Sequence, residues 1–339
     1  YSIARPGEPG GDTWNGLPRE QRNGGSVWIP GSYDPVHNLA FFAPGNTYDT
    51  GPLRNSVNRP GITSDALYLD TTLAINPDSG ELRWFYQHQD NGQWDLDWAF
   101  ERQIVKMPVR GQLETVVLTA GKQMIFDVME AETGKYLKSI DLGMQNIVKG
   151  IDPVTGHKTI DPGLLPGDGQ TKMVCPHVSG GRGWMPTAFD TSTNLLYMPL
   201  VDACMDLVPV GRGERGSLST GVRWTVRPRP GSTGLYGRLQ ALNVQTGKTA
   251  WSAQQRAPLT TGVLATAGGL VFAGALDRTF QAHDAATGAL LWSTRLNDVP
   301  SSPPIAFSAN GREFIAVTVG PGGYQSTSYD VLVPEIKNP

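Results

Sequence analysis

The stretch Ala241-Leu242-Asn243-Val244-Gln245-Thr246-Gly247-Lys248-Thr249-Ala250-Trp251 has two relatives within the chain. Ala74, Asn76, Gly80 and Trp84 repeat its offsets, as do Ala282, Asp284, Gly288 and Trp292. A weaker copy has Val128, Glu130 and Gly134, with Lys138 where the tryptophan belongs. Each copy reads as strand, turn, strand: Asn or Asp caps the turn through its side chain, glycine takes the positive φ, and tryptophan packs on a neighbouring unit. Asp34 with Asn38, and Asp190 with Asn194, repeat the turn with Asn at the left-handed position. Alternating runs such as Leu113 to Ala120, Leu195 to Val201, Gly269 to Ala273 and Glu313 to Val319 read as further strands, and no long amphipathic helix is evident.

Antiparallel units with one tryptophan each predict an all-β chain folded as a β-propeller, in which radial repetition leaves only short strand edges. A β-sandwich would not explain the fixed offset. Ser2 to Gly25, Gly150 to Gly169 and Val208 to Gly237 are too rich in Gly and Pro for strands. They read as long loops of one domain spanning residues 1–339.

The bulk numbers agree. The 339 residues include 41 glycines and 26 prolines, which suits short strands joined by tight turns, and the net charge of −3 argues against nucleic acid as the main partner. No apolar run is long enough to span a membrane. No basic, apolar leader begins at Tyr1, so an export signal is expected to be removed or to lie outside this sequence. Cys175 and Cys204 fit either one disulfide in an oxidising compartment or two buried thiols. No Cys-x-x-Cys-His motif for attaching haem occurs.

One stretch outside the repeat carries chemistry: Gln93-Trp94-Asp95-Leu96-Asp97-Trp98. In an extended chain Asp95 and Asp97 share a face, and two clustered carboxylates repel unless a cation or a shared proton lies between them. A hard metal ion or an acid/base pair satisfies that condition. Other chemistries find no support. His37, His88, His157, His177 and His283 lack zinc spacing and read as residues of loops and strand ends, and no Gly-x-Ser-x-Gly elbow or dinucleotide fingerprint occurs. Arg212, Arg215, Arg223, Arg227 and Arg229 read as a solvated basic loop rather than the rim of a substrate funnel.

An ordered set of motifs carries a resemblance. Pro9-Gly10-Gly11-Asp12-Thr13-Trp14, Gly24-Gly25-Ser26-Val27-Trp28, Gly31-Ser32-Tyr33-Asp34-Pro35, Gly45-Asn46, Trp94-Asp95, Gly121-Lys122, Gly262-Val263-Leu264-Ala265-Thr266-Ala267-Gly268 and Gly320-Pro321-Gly322-Gly323 follow in sequence. Together they resemble the pyrroloquinoline quinone (PQQ) dependent alcohol dehydrogenases, whose catalytic subunit is an eight-bladed propeller, this chain covering roughly the later five to six blades.

The resemblance implies the following roles. Trp28 is the floor on which the quinone stacks, with Gly25 beside it in the cofactor-binding segment, and Asn46 is the amide ligand of the cofactor-bound metal. Asp95 is a metal ligand and the general base that takes the alcohol proton as hydride moves to PQQ. Asp97 matches the extra carboxylate of the lanthanide-dependent members, which favours a rare-earth ion over Ca²⁺. Lys122 contacts the quinone oxygens and stabilises charge developing on reduction. Cys175 and Cys204 match a disulfide of the family. At Met185 the family usually has an asparagine that contacts the cofactor, a hydrogen bond methionine cannot make.

The family's metal-binding glutamate and adjacent-cysteine ring lie in earlier blades. They are expected upstream of Tyr1, in a longer chain or a partner chain. The expectation is a periplasmic quinoprotein that oxidises an alcohol bulkier than methanol to an aldehyde or ketone and passes electrons to a separate cytochrome c. Its rival is a non-catalytic tryptophan-repeat propeller that scaffolds protein assembly, which would have no use for Trp28, Asn46, Asp95, Asp97 and Lys122 together.

Overall fold

The computed structural model describes residues 2–320 and 328–337, so Tyr1 and the Pro321-Gly322-Gly323 part of the last motif lie outside the described residues. The chain separates into two compact units, Tyr1–Val178 with Met205–Thr225, and Ser179–Cys204 with Val226–Pro339.

In the first unit, β1 (Ser32–Asp34), β2 (Leu39–Phe42), β3 (Thr71–Ile75) and β4 (Leu82–Gln87) form one antiparallel sheet in chain order. A second follows with β5 (Gln103–Val109), β6 (Gln112–Ala120), β7 (Ile125–Glu130) and β8 (Tyr136–Asp141). Next come the hairpin of β9 (Val148–Ile151) with β10 (Lys158–Ile160), and then β11 (Lys172–Val174). In the second unit β12 (Ala188–Asp190) and β13 (Leu195–Val201) begin a third sheet. Strands β14 (Ala203–Pro209) and β15 (Val222–Pro228) join β11 in a three-stranded sheet, after which β16 (Gly237–Asn243) and β17 (Lys248–Gln255) complete the third. The fourth has β18 (Leu264–Ala265), β19 (Leu270–Gly274), β20 (Thr279–Asp284) and β21 (Leu290–Arg295), and β22 (Ile305–Ala309) pairs with β23 (Arg312–Ala316).

Every repeat copy is the outer hairpin of one four-stranded sheet. Ala74, Ala241 and Ala282 sit directly across from Trp84, Trp251 and Trp292, and the register slips by one residue immediately beyond. A small side chain therefore faces each indole. At the turns Asn76 Oδ1 accepts the N–H of Asp78 (2.9 Å), Asn243 Oδ1 that of Thr246 (3.0 Å) and Asp284 Oδ1 that of Thr287 (2.8 Å). The following glycines take φ of 72°, 70° and 75°.

The tryptophans clamp sheet to sheet. Trp84 donates its indole N–H to Ala131 O (3.0 Å) and lies on Gly134, where a Cβ would come within 2.5 Å of the ring. Trp251 donates to Ala285 O (2.9 Å) and lies on Gly288 in the same manner. Gly134 and Gly288 are thus also seats for the preceding indole, whose truncation to alanine typically costs about 3–5 kcal/mol, whereas Gly80 faces open space. Trp292 departs from the rule: it is 49% exposed and meets Phe280 of its own sheet edge-on.

Two of the expected loops contain strands. Within Gly150 to Gly169 the β9–β10 hairpin carries the same turn, with Asp152 Oδ1 accepting from Val154 and Thr155 and Gly156 at φ 75°. Its low apolar content hid it, because Tyr86 and Tyr136 take the indole's place against Gly156. Within Val208 to Gly237 β15 alternates along the sheet edge, so Arg223 and Arg227 lie on a strand rather than in a loop.

Candidate functional site

The first unit gathers Trp28, Asn46, Asp95, Asp97 and Lys122, together with an acid that sequence reading passes over, Asp70. Asp97 is almost fully buried, at 1% exposure. Its Oδ1 accepts the Asn46 backbone N–H at 2.8 Å, and its Oδ2 lies 2.6 Å from Lys122 Nζ. The Lys122 ammonium also donates to the Asp95 backbone carbonyl (2.6 Å) and stands 3.6 Å from Asp95 Oδ2. Asp95 is the more open of the two acids, its side chain 28% exposed.

The two carboxylates meet the same lysine, but not by strand alternation. Residues 92–99 form no strand, and Asp95 takes φ 58°, a left-handed bend that turns its side chain independently of Asp97.

Gly24 and Gly25 run beside Asn46, with Gly25 N–H donating to Asn46 O (3.2 Å) and Gly45 N–H to Ser26 O (2.9 Å). Both glycines have positive φ, and a Cβ at Gly24 would collide with the backbone of Thr47. This close pairing brings Trp28 to the acids. A methyl on Gly45 would lie 2.8 Å from the Trp28 ring and 2.8 Å from Asp97 Oδ1, so indole and carboxylate flank one bare glycine. Trp28 is 37% exposed and meets Phe100 edge-on at 6.3 Å.

Asp70, 1% exposed, enters at φ 49° just before β3. Its Oδ1 accepts the Trp98 N–H at 3.0 Å. Its Oδ2 lies 3.2 Å from the point where a Cβ on Gly92 would sit, and Asn46 Oδ1 lies 3.5 Å from that same point. The Asn46 amide donates to Gly92 O (3.2 Å), while its Oδ1 is buried without a hydrogen-bond partner. An orphaned amide oxygen beside carboxylates is a set of hard oxygen donors, suited to a hard cation. Among the described residues no three Asp, Glu, His or Cys groups converge closely enough to hold a metal by themselves, so any such ion needs the amide and further oxygens.

Electrostatics follow from this burial. Burial first, and then the neighbouring Asp97, push the Asp70 carboxyl well above its ordinary range. Burial pushes Asp95 up to about 7, against the opposing pull of Lys122. For Lys122, burial works against the charge, but Asp97 and Asp95 outweigh it and raise the ammonium's pKa.

Behind the site lies a second buried network. Asp127 accepts from His88 Nδ1 (2.8 Å), Lys158 Nζ (2.7 Å) and Ser139 Oγ (2.6 Å). Thr72 Oγ1 lies 2.7 Å from His88 Nε2. The His88 ring stacks on Trp98 with centroids 4.5 Å apart, and Lys158 Nζ lies 4.8 Å from the centre of the indole. Trp98 also covers Gly121, which precedes Lys122, and Lys122 N–H donates to Asp97 O (3.0 Å). Burial lowers His88 to about 4 despite Asp127, so the ring is neutral. Sequence reading places His88, with the other histidines, in loops or at strand ends; it directly follows β4, and nothing in the sequence signals its burial.

Trp94 belongs to the core instead, donating to Leu164 O (2.9 Å) among Leu96, Ile147, Val174 and Val178. Cys175 and Cys204 are disulfide-bonded, as the resemblance implies. Met185 is half-buried in the second unit. No helix among the described residues is long and apolar enough to cross a membrane.

Comparison with known proteins gives this geometry a context. Residues 3–143 and 157–315 match the family described as glucose/ethanol/alcohol dehydrogenase, beta-propeller domain. The dehydrogenase subunit of a quinone alcohol dehydrogenase from Acetobacter aceti is 31% identical over 320 residues, 89% of this chain and 42% of that protein. The quinoprotein alcohol dehydrogenase PedH of Pseudomonas putida is 30% identical over 325 residues, 94% of this chain and 53% of that protein. Among solved structures, a europium-containing methanol dehydrogenase superposes with a TM-score of 0.80 at 26% identity, covering 93% of this chain and 54% of that one. The chain spans about half the length of the curated relatives it matches.

Proposed function

Since the chain belongs to the PQQ-dependent alcohol dehydrogenase family and is a β-propeller of that kind, we propose that it forms the cofactor-holding part of a quinoprotein oxidising an alcohol to an aldehyde or ketone. The observation that carries this reading is the convergence of Asn46, Asp97, Lys122 and a partly open Asp95 beside the half-exposed indole of Trp28.

These residues suit both implied groups. Trp28 offers a flat apolar face, and bare Gly45 leaves room next to it. Asn46 Oδ1, Asp97 and Asp95 supply the oxygen donors for a hard cation, and the charge of Asp97 favours a trivalent rare-earth ion, with Ca²⁺ the alternative. When bound, PQQ supplies the two-electron acceptor and the metal polarises it.

The chain's own part is proton handling and charge placement. Asp95, the one acid at the site with appreciable exposure, takes the hydroxyl proton of the alcohol at a carboxylate oxygen. Lys122, fixed by Asp97 and the Asp95 carbonyl, presents a positive charge beside that transfer. Asp97 orients the lysine and, through the Asn46 backbone, the amide ligand.

The disulfide supports an oxidising, periplasmic setting. A separate cytochrome c is the proposed electron acceptor, and an alcohol bulkier than methanol the proposed substrate. The reading is tested by supplying PQQ with La³⁺ or Ca²⁺ and a series of primary and secondary alcohols, and following reduction of an artificial dye. Asp95→Asn is expected to lower the rate about 10²–10⁴-fold. Undiminished dye reduction in Asp95→Asn would remove the base and with it the mechanism.

A further inference from the structure

Asp70 has no part in the roles above, yet it belongs to the same charged cluster. Asp97, Asp95 and Lys122 are all close enough for their charges to act on it. Three carboxylates, two of them almost fully buried and Asp95 partly open, then share a single ammonium, leaving an excess of two negative charges if all are ionised. Clustered buried anions of this kind persist when a cation joins them.

The direction in which Asp70 points identifies where the cation goes. Its Oδ1 is engaged by Trp98 N–H and its backbone carbonyl by His88 N–H (2.9 Å), which fixes the side chain. Its Oδ2 is directed to the space over Gly92. The partnerless Asn46 Oδ1, on a residue only 2% exposed, borders the same space. Two oxygens of opposite formal character, one anionic and one neutral, flank a point that any side chain at position 92 would fill.

We infer that Asp70 is an additional carboxylate ligand of the cation held by Asn46, and that it tilts the site toward trivalent over divalent ions. The inference rests on the metal-and-cofactor reading above and adds a ligand to it. Adding an anionic ligand raises affinity for a 3+ ion more than for a 2+ ion, because the Coulomb term scales with the ion's charge. The remaining positions of such an ion, which takes about six to eight oxygens, fall to the other acids, water and bound cofactor.

The test uses Tb³⁺, whose emission is sensitised by nearby tryptophan, titrated into the purified chain and displaced with Ca²⁺. Asp70→Asn keeps the Oδ1 acceptor for Trp98 and removes the charge. It is expected to weaken Tb³⁺ binding about 10–100-fold and Ca²⁺ binding less, so that the preference for Tb³⁺ shrinks. Gly92→Ala, which fills the space without altering either donor, is expected to weaken Tb³⁺ too and carries the test if Asp70→Asn fails to fold. Unchanged Tb³⁺ affinity in both variants, or no sensitised emission from the parent chain, would overturn the inference. PQQ binding, followed separately by quenching of tryptophan fluorescence, distinguishes the two levels. If the parent chain binds PQQ and Tb³⁺ but neither variant changes Tb³⁺ affinity, Asp70 alone is wrongly assigned. If the parent chain binds neither PQQ nor Tb³⁺, the proposed function falls as well.

Discussion

Replacing Lys122 by methionine asks whether its ammonium is the cation on which the metal-free site depends. Lys122 is 7% exposed, with Nζ 2.6 Å from Asp97 Oδ2 and 3.6 Å from Asp95 Oδ2. With an effective dielectric of about 20, those separations correspond to Coulomb attractions of about 6 and about 5 kcal/mol, most of which desolvation of the three groups cancels. Removing the lysine does not restore that hydration to Asp97, which remains buried. Lys122→Met is therefore expected to cost about 3–5 kcal/mol in urea unfolding at neutral pH. Asp97→Asn, which keeps an oxygen for the Asn46 N–H, should cost less, about 1–3 kcal/mol. In the double variant neither charge is left unpaired, so its cost should fall about 2–3 kcal/mol short of the sum of the single ones. Costs that add to within about 0.5 kcal/mol would show that lysine and aspartate do not sense one another, and would refute the placement of Lys122 as counter-ion.

Two further outcomes follow from the same geometry. Gly45→Ala puts a methyl 2.8 Å from both the Trp28 ring and Asp97 Oδ1, an overpacking of about 1–3 kcal/mol that should weaken PQQ binding about 5–150-fold, read by fluorescence quenching; parental affinity would separate Trp28 from the cofactor. In the metal-free protein two buried histidines and one raised carboxyl should work against each other on the acid side of neutrality, read as melting temperature between pH 4.5 and 7. His88 and His177, both held at about 4 mainly by burial, bind protons more readily when unfolded, so their contribution is present above pH 6.5 and is lost as pH falls toward 4. Asp95, raised to about 7, has the opposite sign: its contribution is present below its unfolded pKa near 4 and is lost as pH rises through 7. Asp95→Asn removes the opposing contribution, so the rise in melting temperature from pH 4.5 to 7 should be steeper than in the parent, and an unchanged slope would contradict the raised carboxyl.

The repeat was legible because its parts do separate physical jobs at fixed offsets. A cap, a left-handed glycine, an indole and a small residue opposite it each leave a distinct residue type in the sequence; together they located three outer hairpins, and the glycine spacing alone a fourth. The β9–β10 hairpin escaped because tyrosines replace its indole, and β15 because an edge strand needs little apolar content. Among the site residues, Trp28, Asn46, Asp95, Asp97 and Lys122 were found through motifs and are brought together in one unit. Asp70 was not. In Leu69-Asp70-Thr71 it looks like a polar residue ahead of a strand, and only the fold reveals that no water waits for it. The same holds for Asp127 and Lys158, which look like charges of ordinary hairpins until the chain closes over them.

Backbone conformation separates the two classes of residue more sharply than composition does. Left-handed non-glycine residues occur throughout the described chain, and many are asparagines, at 15, 38, 91, 194 and 310, where the residue tolerates that region at little cost. Asp70 and Asp95 adopt it too, at φ 49° and 58°, and each is drawn up in pKa by burial near another acid. Asparagine or glycine would serve the backbone at least as well at both positions and would remove the buried charge. The carboxylates thus give the backbone nothing that asparagine would not, and make the electrostatics worse in the absence of a cation. A sequence keeps two such buried charges within one cluster when something outside the chain resolves them, which is the mark of a binding site rather than of a core. The buried tryptophans supply the counterpart: with Trp84 seated on Gly134, and Trp98 packed on Gly121 and stacked with His88, the two acids rest on elements that give little.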